Sequence, residues 1–255
     1  MSEPISIYET HLRVNTFECD LNQRWKSAAF FQHLTEIAGL NATQLGWGFD
    51  AMYAKNLFWV HARMKIKFFR FPGAGEQITI HTWPKTIQQK LFYIRDFRVL
   101  DASGTQIAAA TSAWLVMNAS TRRLVTPQAL DLNLPTLPDQ MGLEEPLEKL
   151  AVDPDGEERL RVRANYSAVD ILGHVNNSRY VEWICDSFPV EMHREHRLDW
   201  IQVNYDREIR PGDEVRMLAK ESAVQPGLWT VEGINQSNST RAFESAVQWR
   251  KSETA

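Results

Sequence analysis

Residues 166–177 read Tyr-Ser-Ala-Val-Asp-Ile-Leu-Gly-His-Val-Asn-Asn, the densest cluster of catalysis-capable side chains in the sequence. The cluster falls between a strand-like and a helix-like stretch, with Asp170 and His174 four apart across a glycine at the expected helix start. Backbone N–H groups at a helix N-terminus lack intrahelical partners and carry partial positive charge. An ester or thioester carbonyl placed there would be polarised, and its developing oxyanion held, by amides such as those of Gly173 or His174. An imidazole is suited to proton transfer near neutral pH, and Asp170 could orient it, attack the carbonyl or activate water. A structural reading stands beside this one. Asp, Gly and Asn are what a capped strand-to-helix turn requires, although neither turn nor cap needs an imidazole. Asn176 and Asn177 fit helix-start residues better than catalysts. Cys185 is a second candidate nucleophile, since Cys, His and Asn can form a catalytic trio. Its place on the expected helix beside Ile184 favours packing instead.

The elements that must position these residues occur twice. In the first copy a strand-like segment, Ile7–Phe17, leads through a turn at Cys19–Arg24 to a helical pattern over Ser27–Gly46, with Ser27 as N-cap and Gly46 as stop. Residues 61–68 then alternate, Ala62, Met64, Ile66 and Phe68 on one face and His61, Arg63, Lys65 and Lys67 on the other. Strands follow over Gln77–Trp83, Lys90–Leu100 and Thr105–Met117. The second copy runs from a strand at Leu160–Tyr166 through a turn at Asp170–Gly173. A helix is expected from about Asn176 to Phe188 and a short one near Val190–Arg197. Four strands then occupy Asp199–Glu208, Asp213–Ala223, Leu228–Gln236 and Thr240–Arg250. Five of the eleven prolines lie between Asn118 and Glu158, which reads as a long connection with a short helix around Pro146–Leu150. One helix followed by meandering strands, used twice, predicts an α+β fold in which each antiparallel sheet wraps a central helix. The expected units are 1–125, a linker over 126–157, and 158–255.

Composition narrows the function classes. The 255 residues carry 28 Lys+Arg against 32 Asp+Glu, a net charge of −4, and 44% are hydrophobic. That balance is ordinary for a globular protein and argues against bulk nucleic-acid binding. Cys19 and Cys185 form neither a disulfide framework nor a metal-ligand set, so no metal or other cofactor is expected. The first residues lack the apolar core of a secretory signal, and the uncharged run Ala102–Thr121 is broken by Gln106, Thr111, Ser112 and Asn118. A cytoplasmic protein with no membrane partner is the expectation.

The segment Asp170 to Tyr180, Asp-x-x-Gly-His-Val-Asn-Asn-x-x-Tyr, resembles the signature of hotdog-fold thioesterases. The doubled layout is similar to that of acyl-acyl carrier protein thioesterases, and the resemblance covers nearly the whole chain. The first half contributes Trp59-Val-His-Ala-Arg63, Arg70-Phe-Pro-Gly-Ala-Gly-Glu76, Thr82-Trp-Pro84 and Ser112-Ala-Trp-Leu-Val116. The second adds Val203-Asn-Tyr-Asp-Arg-Glu208. The resemblance implies a tandem hotdog fold, release of free fatty acid from an acyl carrier protein, and a dimer of double-hotdog chains. By position it assigns the catalytic roles to Asp170, His174 and Glu208, with Gly173 and His174 amides at the oxyanion. Glu208, at the end of the strand Trp200–Glu208, also fits an exposed turn-flanking acid.

Two positions depart from that pattern. Leu172 stands where the family has an Asn, and Ala168 where it has an acid. A leucine can neither donate nor accept a hydrogen bond. In the first half, Asp20-Leu-Asn-Gln-Arg24 offers Arg24 in the place of His174, and aligning the Pro-Gly pairs puts Phe69 in the place of Glu208. That half reads as a non-catalytic copy, and the resemblance implies that its Phe30, Phe31 and Leu34 would line an acyl pocket, although any one of them also fits ordinary core. Arg63, Lys65 and Lys67 share one strand face and would dock an acidic carrier. Arg159, Arg161 and Arg163, and the run His193–Arg197, are rival basic patches. The alternatives are a coenzyme A thioesterase and a non-catalytic acyl-binding protein on the same fold.

Overall fold

Period-two burial in a long strand is the strongest structural signal, and it governs the strand that joins the two halves. Met64, Ile66 and Phe68 point into the core, while Arg63, Lys65 and Lys67 occupy the other face. The computed structural model describes residues 7–130, 134–147, 149–150 and 155–252. The first half contains β1 (Tyr8–Arg13), α1 (Ser27–Gln44), α2 (Phe49–Ala54), β2 (Leu57–Phe68), β3 (Gln77–Gln88), β4 (Phe92–Asp101), β5 (Gln106–Asn118) and the two-residue β6 (Leu124–Val125). The second contains β7 (Glu157–Arg163), α3 (Asn177–Asp186), α4 (Val190–Glu195), β8 (His196–Tyr205), β9 (Glu214–Glu221), β10 (Leu228–Asn235) and β11 (Thr240–Lys251).

The strands form one sheet in the order β1-β3-β4-β5-β2-β8-β11-β10-β9-β7, with β6 paired to β5. Each half is the other's mirror in this order, and the antiparallel β2–β8 pair, from Arg63 opposite Asn204 to Lys67 opposite Trp200, is the seam. The helices α1 and α3 pack against each other on the inner face. One apolar cluster runs through both halves, from Phe30, Phe31 and Leu34 of α1 to Val181 and Ile184 of α3. This is the doubled α+β hotdog architecture expected.

Local details differ from the sequence reading. The N-cap of α1 is Lys26, in extended conformation, and not Ser27, because the Lys26 N–H is held by the Glu18 carbonyl and the helix starts one residue later. Gly46 does terminate the helix region, at φ +80°, a conformation that favours glycine. Helix α2 has no counterpart in the sequence reading; six residues after Gly48 are too few to show a period. No helix forms at the described residues of 146–150, and Pro154 lies outside the described residues. The stretch 134–147 instead lies along the first half's sheet. Leu137 N–H donates to Pro84 O, Arg98 holds Met141 O, and Gly142 N–H donates to a carboxylate oxygen of the buried Asp96 at 2.8 Å.

A buried imidazole sits beside the seam. His61, on a bulge of β2, stacks on Trp114 at 4.2 Å with planes 5° apart, and among the described residues neither ring nitrogen has a well-formed hydrogen bond. Burial pushes its pKa down to about 3. The folded state therefore refuses a proton that the unfolded chain takes up below about pH 6.5, so stability falls with pH in the window from 6.5 to 3. Replacing His61 with Phe is expected to remove about 2 kcal/mol of the stability loss between pH 7 and pH 5. Thermal melts of both proteins across that range check it; parallel curves would contradict it.

Candidate active site

Asp170 and His174 are presented by a tight turn that its own backbone closes. Gly173 N–H donates to Asp170 O and Asp170 N–H to His174 O, both at 3.0 Å, and Gly173 takes φ +79°. The Asp170 carboxylate accepts the Leu172 N–H at 2.9 Å. Asn176 then caps α3, its side-chain oxygen accepting from the Ser178 N–H at 2.9 Å and the Ser178 hydroxyl at 2.7 Å. Glu208 arrives from elsewhere. Strand β8 ends at Tyr205, because the N–H groups of Asp206 and Arg207 both turn to Ala242 O, so Glu208 lies in the following loop rather than at the strand end. Val175 N–H to Ile209 O, at 2.9 Å, staples that loop to the Asp170 turn.

The result is a chain of three titratable groups. His174 Nδ1 lies 3.8 Å from Asp170 Oδ1, and His174 Nε2 lies 3.9 Å from Glu208 Oε1. Both are ion-pair separations rather than hydrogen bonds, and catalytic contacts of this kind tighten around a substrate. All three side chains are partly exposed and reachable. The Gly173 amide is occupied within the turn, whereas the His174 N–H beside the imidazole meets no acceptor among the described residues. One more charged group enters from the other half: Arg122 donates to Glu208 Oε1 at 3.3 Å.

His174, Leu172 and Arg122 line a cavity of about 640 Å³ whose remaining wall comes from the first half and the connection after it. Helix α1 supplies Ala38, Gly39 and Ala42, α2 supplies Phe49 and Met52, and Trp59 and Tyr93 come from the sheet. Phe30, Phe31 and Leu34 do not line it. Their faces of α1 turn into the central cluster, where Phe30 packs on Trp25 and Phe68. The wall is instead the neighbouring face of the same helix, where Thr35, Glu36, Ala38, Gly39 and Ala42 leave no apolar stripe to read. Arg63, Lys65 and Lys67 do not reach the cavity either. Arg63 lies over Phe92, Lys65 over Trp200, and Lys67 pairs with Glu145 of the connecting stretch. Cys185 lines a different pocket from His174, and burial pushes its thiol up to about 12, which disfavours the nucleophilic thiolate.

The first half repeats this construction with different side chains. Asp20 accepts the Asn22 and Arg24 N–H groups, Gly75 and Gly212 share a left-handed turn, and Trp25 N–H to Pro72 O matches Val175 N–H to Ile209 O. These bonds place Phe71, not Phe69, opposite Glu208, because the matched glycines are the second of the first half's turn and the only one of the second's. The same register puts Asn22 opposite Leu172. Arg24 is spent on Ser252 and on the carbonyl of His193.

Among the described residues no group of three or more His, Cys, Asp or Glu is gathered as for a metal ion, and no helix is long and apolar enough to cross a membrane. Comparison with known proteins gives matches to the Acyl-ACP thioesterase N-terminal domain over residues 6–129 and to the Acyl-ACP thioesterase C-terminal domain over residues 151–251. An oleoyl-acyl carrier protein thioesterase of Coriandrum sativum is 30% identical over 83% of this chain, which spans 62% of that relative's length. An acyl-ACP thioesterase structure from Bacteroides thetaiotaomicron aligns with a TM-score of 0.85 at 28% identity, covering 98% of this chain and 100% of that one. The 12:0-ACP thioesterase from Umbellularia californica shares the fold, with a TM-score of 0.78 at 21% identity over 96% of this chain and 98% of that one.

Proposed function

Because the chain belongs to the acyl-ACP thioesterase family, we propose that it hydrolyses a fatty acyl thioester of acyl carrier protein, releasing free fatty acid and the carrier thiol. One observation carries the reading: Asp170, His174 and Glu208 gather beside a largely apolar cavity large enough for an acyl chain. The acyl chain lies among α1, α2 and the first half's sheet, and the thioester carbonyl sits at His174. Asp170 and Glu208 share the activation of water or the attack on the carbonyl, with the imidazole between them moving the proton. The His174 N–H faces the developing oxyanion. The carbonyl carbon gains the water oxygen, the C–S bond breaks, and the leaving thiolate takes a proton. In this reading residues 1–125 form the acyl-binding unit, 158–255 the catalytic unit and 126–157 their connection, in a cytoplasmic homodimer.

The test is free-thiol release from carrier-linked acyl thioesters of increasing chain length, repeated with coenzyme A thioesters. Faster turnover on the carrier, lost as salt rises, supports carrier recognition by charge. Stoichiometric fatty-acid binding with no turnover on either panel would overturn the hydrolase. Leu172 sits at the cavity beside His174 and offers no polar group. Replacing Leu172 with Asn is expected to raise kcat by about tenfold, since a single positioning contact is worth up to about 10²-fold. An unchanged or lower kcat in the folded variant would show that this position has no positioning task.

A further inference from the structure

We propose that Arg122, contributed by the first half, is the positioning residue that holds Glu208 against His174, and that it does so where Leu172 has no hydrogen bond to give. This rests on the thioesterase reading above. Arg122 sits on the turn between β5 and β6 at φ +54°, and that turn is fixed by side-chain as well as backbone bonds. Arg122 N–H donates to Asn118 O. The Asn118 side-chain oxygen accepts from Ser120 N–H, Thr121 N–H and the Thr121 hydroxyl. Ala119 N–H and the Ser120 hydroxyl both go to Asn56. The backbone is thus held in a conformation that an arginine rarely adopts, and the side chain reaches across the seam between halves. Its guanidinium lies over the Phe58 ring at 5.3 Å and donates to the same Glu208 oxygen that faces His174 Nε2. Arg122, Leu172 and His174 line one cavity. An exposed ion pair of this kind contributes little to stability, so its arrangement answers to the site rather than to the fold.

Steady-state kinetics on acyl carrier protein and coenzyme A thioesters test it. Arg122→Met is expected to lower kcat about 10–10²-fold on both thioesters, with KM within about twofold and the melting temperature within about 2 °C. Arg122→Lys should recover part of the loss. Millimolar guanidinium ion should rescue Arg122→Met but not Glu208→Gln, and the double variant should be no slower than Glu208→Gln alone. Wild-type kcat in Arg122→Met would overturn the proposal. So would a loss confined to KM on the carrier substrate, which would make Arg122 a docking residue, or fully additive losses in the double variant. A wild-type protein that hydrolyses no thioester would overturn both this proposal and the thioesterase reading, whereas an active one with Arg122→Met unimpaired would overturn only this one.

Discussion

Asp170→Asn is expected to lower kcat by about 10³-fold while leaving the fold intact, and Asp20→Asn to change neither. The two aspartates close equivalent turns, Asp20 accepting the Arg24 N–H in addition. Each takes the N–H two residues ahead onto a carboxylate oxygen, at 2.9 Å from Leu172 and 2.8 Å from Asn22. An asparagine keeps that acceptor, so both turns should close in both variants. What differs is the neighbour. Asp170 faces His174 and, through it, Glu208, whereas Asp20 faces Arg24, whose guanidinium is tied to Ser252 and His193. Removing the negative charge therefore disables proton transfer in one turn and only weakens an ion pair in the other. Thiol release and thermal melts on the two variants side by side decide the matter. Equal kcat losses, or no loss in Asp170→Asn, would remove Asp170 from the chemistry.

The sequence carries the fold further than it carries the site, for a physical reason. Strand periodicity in β2 and helical spacing in α1 are local patterns that burial writes into neighbouring residues, and they read through to the element order. Asp170 and His174 are also local, since one turn holds both. Glu208 is 34 residues further on, and tertiary bonds such as the staple from Val175 to Ile209 bring it back, so its place came from a family resemblance and not from spacing. Arg122 left no signal at all. It belongs to the other half, sits on a surface hairpin, and is conspicuous only once the β2–β8 seam has joined the halves. The Pro-Gly pairs misaligned the repeat for a related reason. A turn is fixed by which residue takes the left-handed conformation, here Gly75 and Gly212, and two glycines in the first half made the wrong one look equivalent. Asn22, opposite Leu172, becomes visible only in the corrected register: the amide expected beside the histidine is present in the half that lacks the histidine.

Asp96→Ala should destabilise the protein by about 3 kcal/mol, the largest single stability loss expected here, and should also alter which acyl chains are accepted. Asp96 is fully buried on β4, with one oxygen accepting the Thr111 hydroxyl at 2.7 Å and the other shared by Lys85 Nζ and the Gly142 N–H, both at 2.8 Å. Breaking one side of a buried ion pair typically costs about 3–5 kcal/mol, because the remaining charge and donors are left without partners. Lys85 keeps some access to water, which places the expected value at the low end. The bond to Gly142 is what holds the connecting stretch on the sheet, and the approach is close: a Cβ at Gly142 would lie 2.7 Å from Phe97 O. The same stretch supplies Leu134 and Thr136 to the cavity wall and Glu145 to Lys67. Releasing it therefore loosens the cavity from outside while leaving the Asp170 turn untouched. The variant should show a lower denaturation midpoint, faster proteolysis within 134–147 and a broader chain-length profile, with kcat on its best substrate within a few-fold of the parent. A loss below about 1 kcal/mol, with the profile unchanged, would mean that the connection is held by its other contacts and that Asp96 is only one of several anchors.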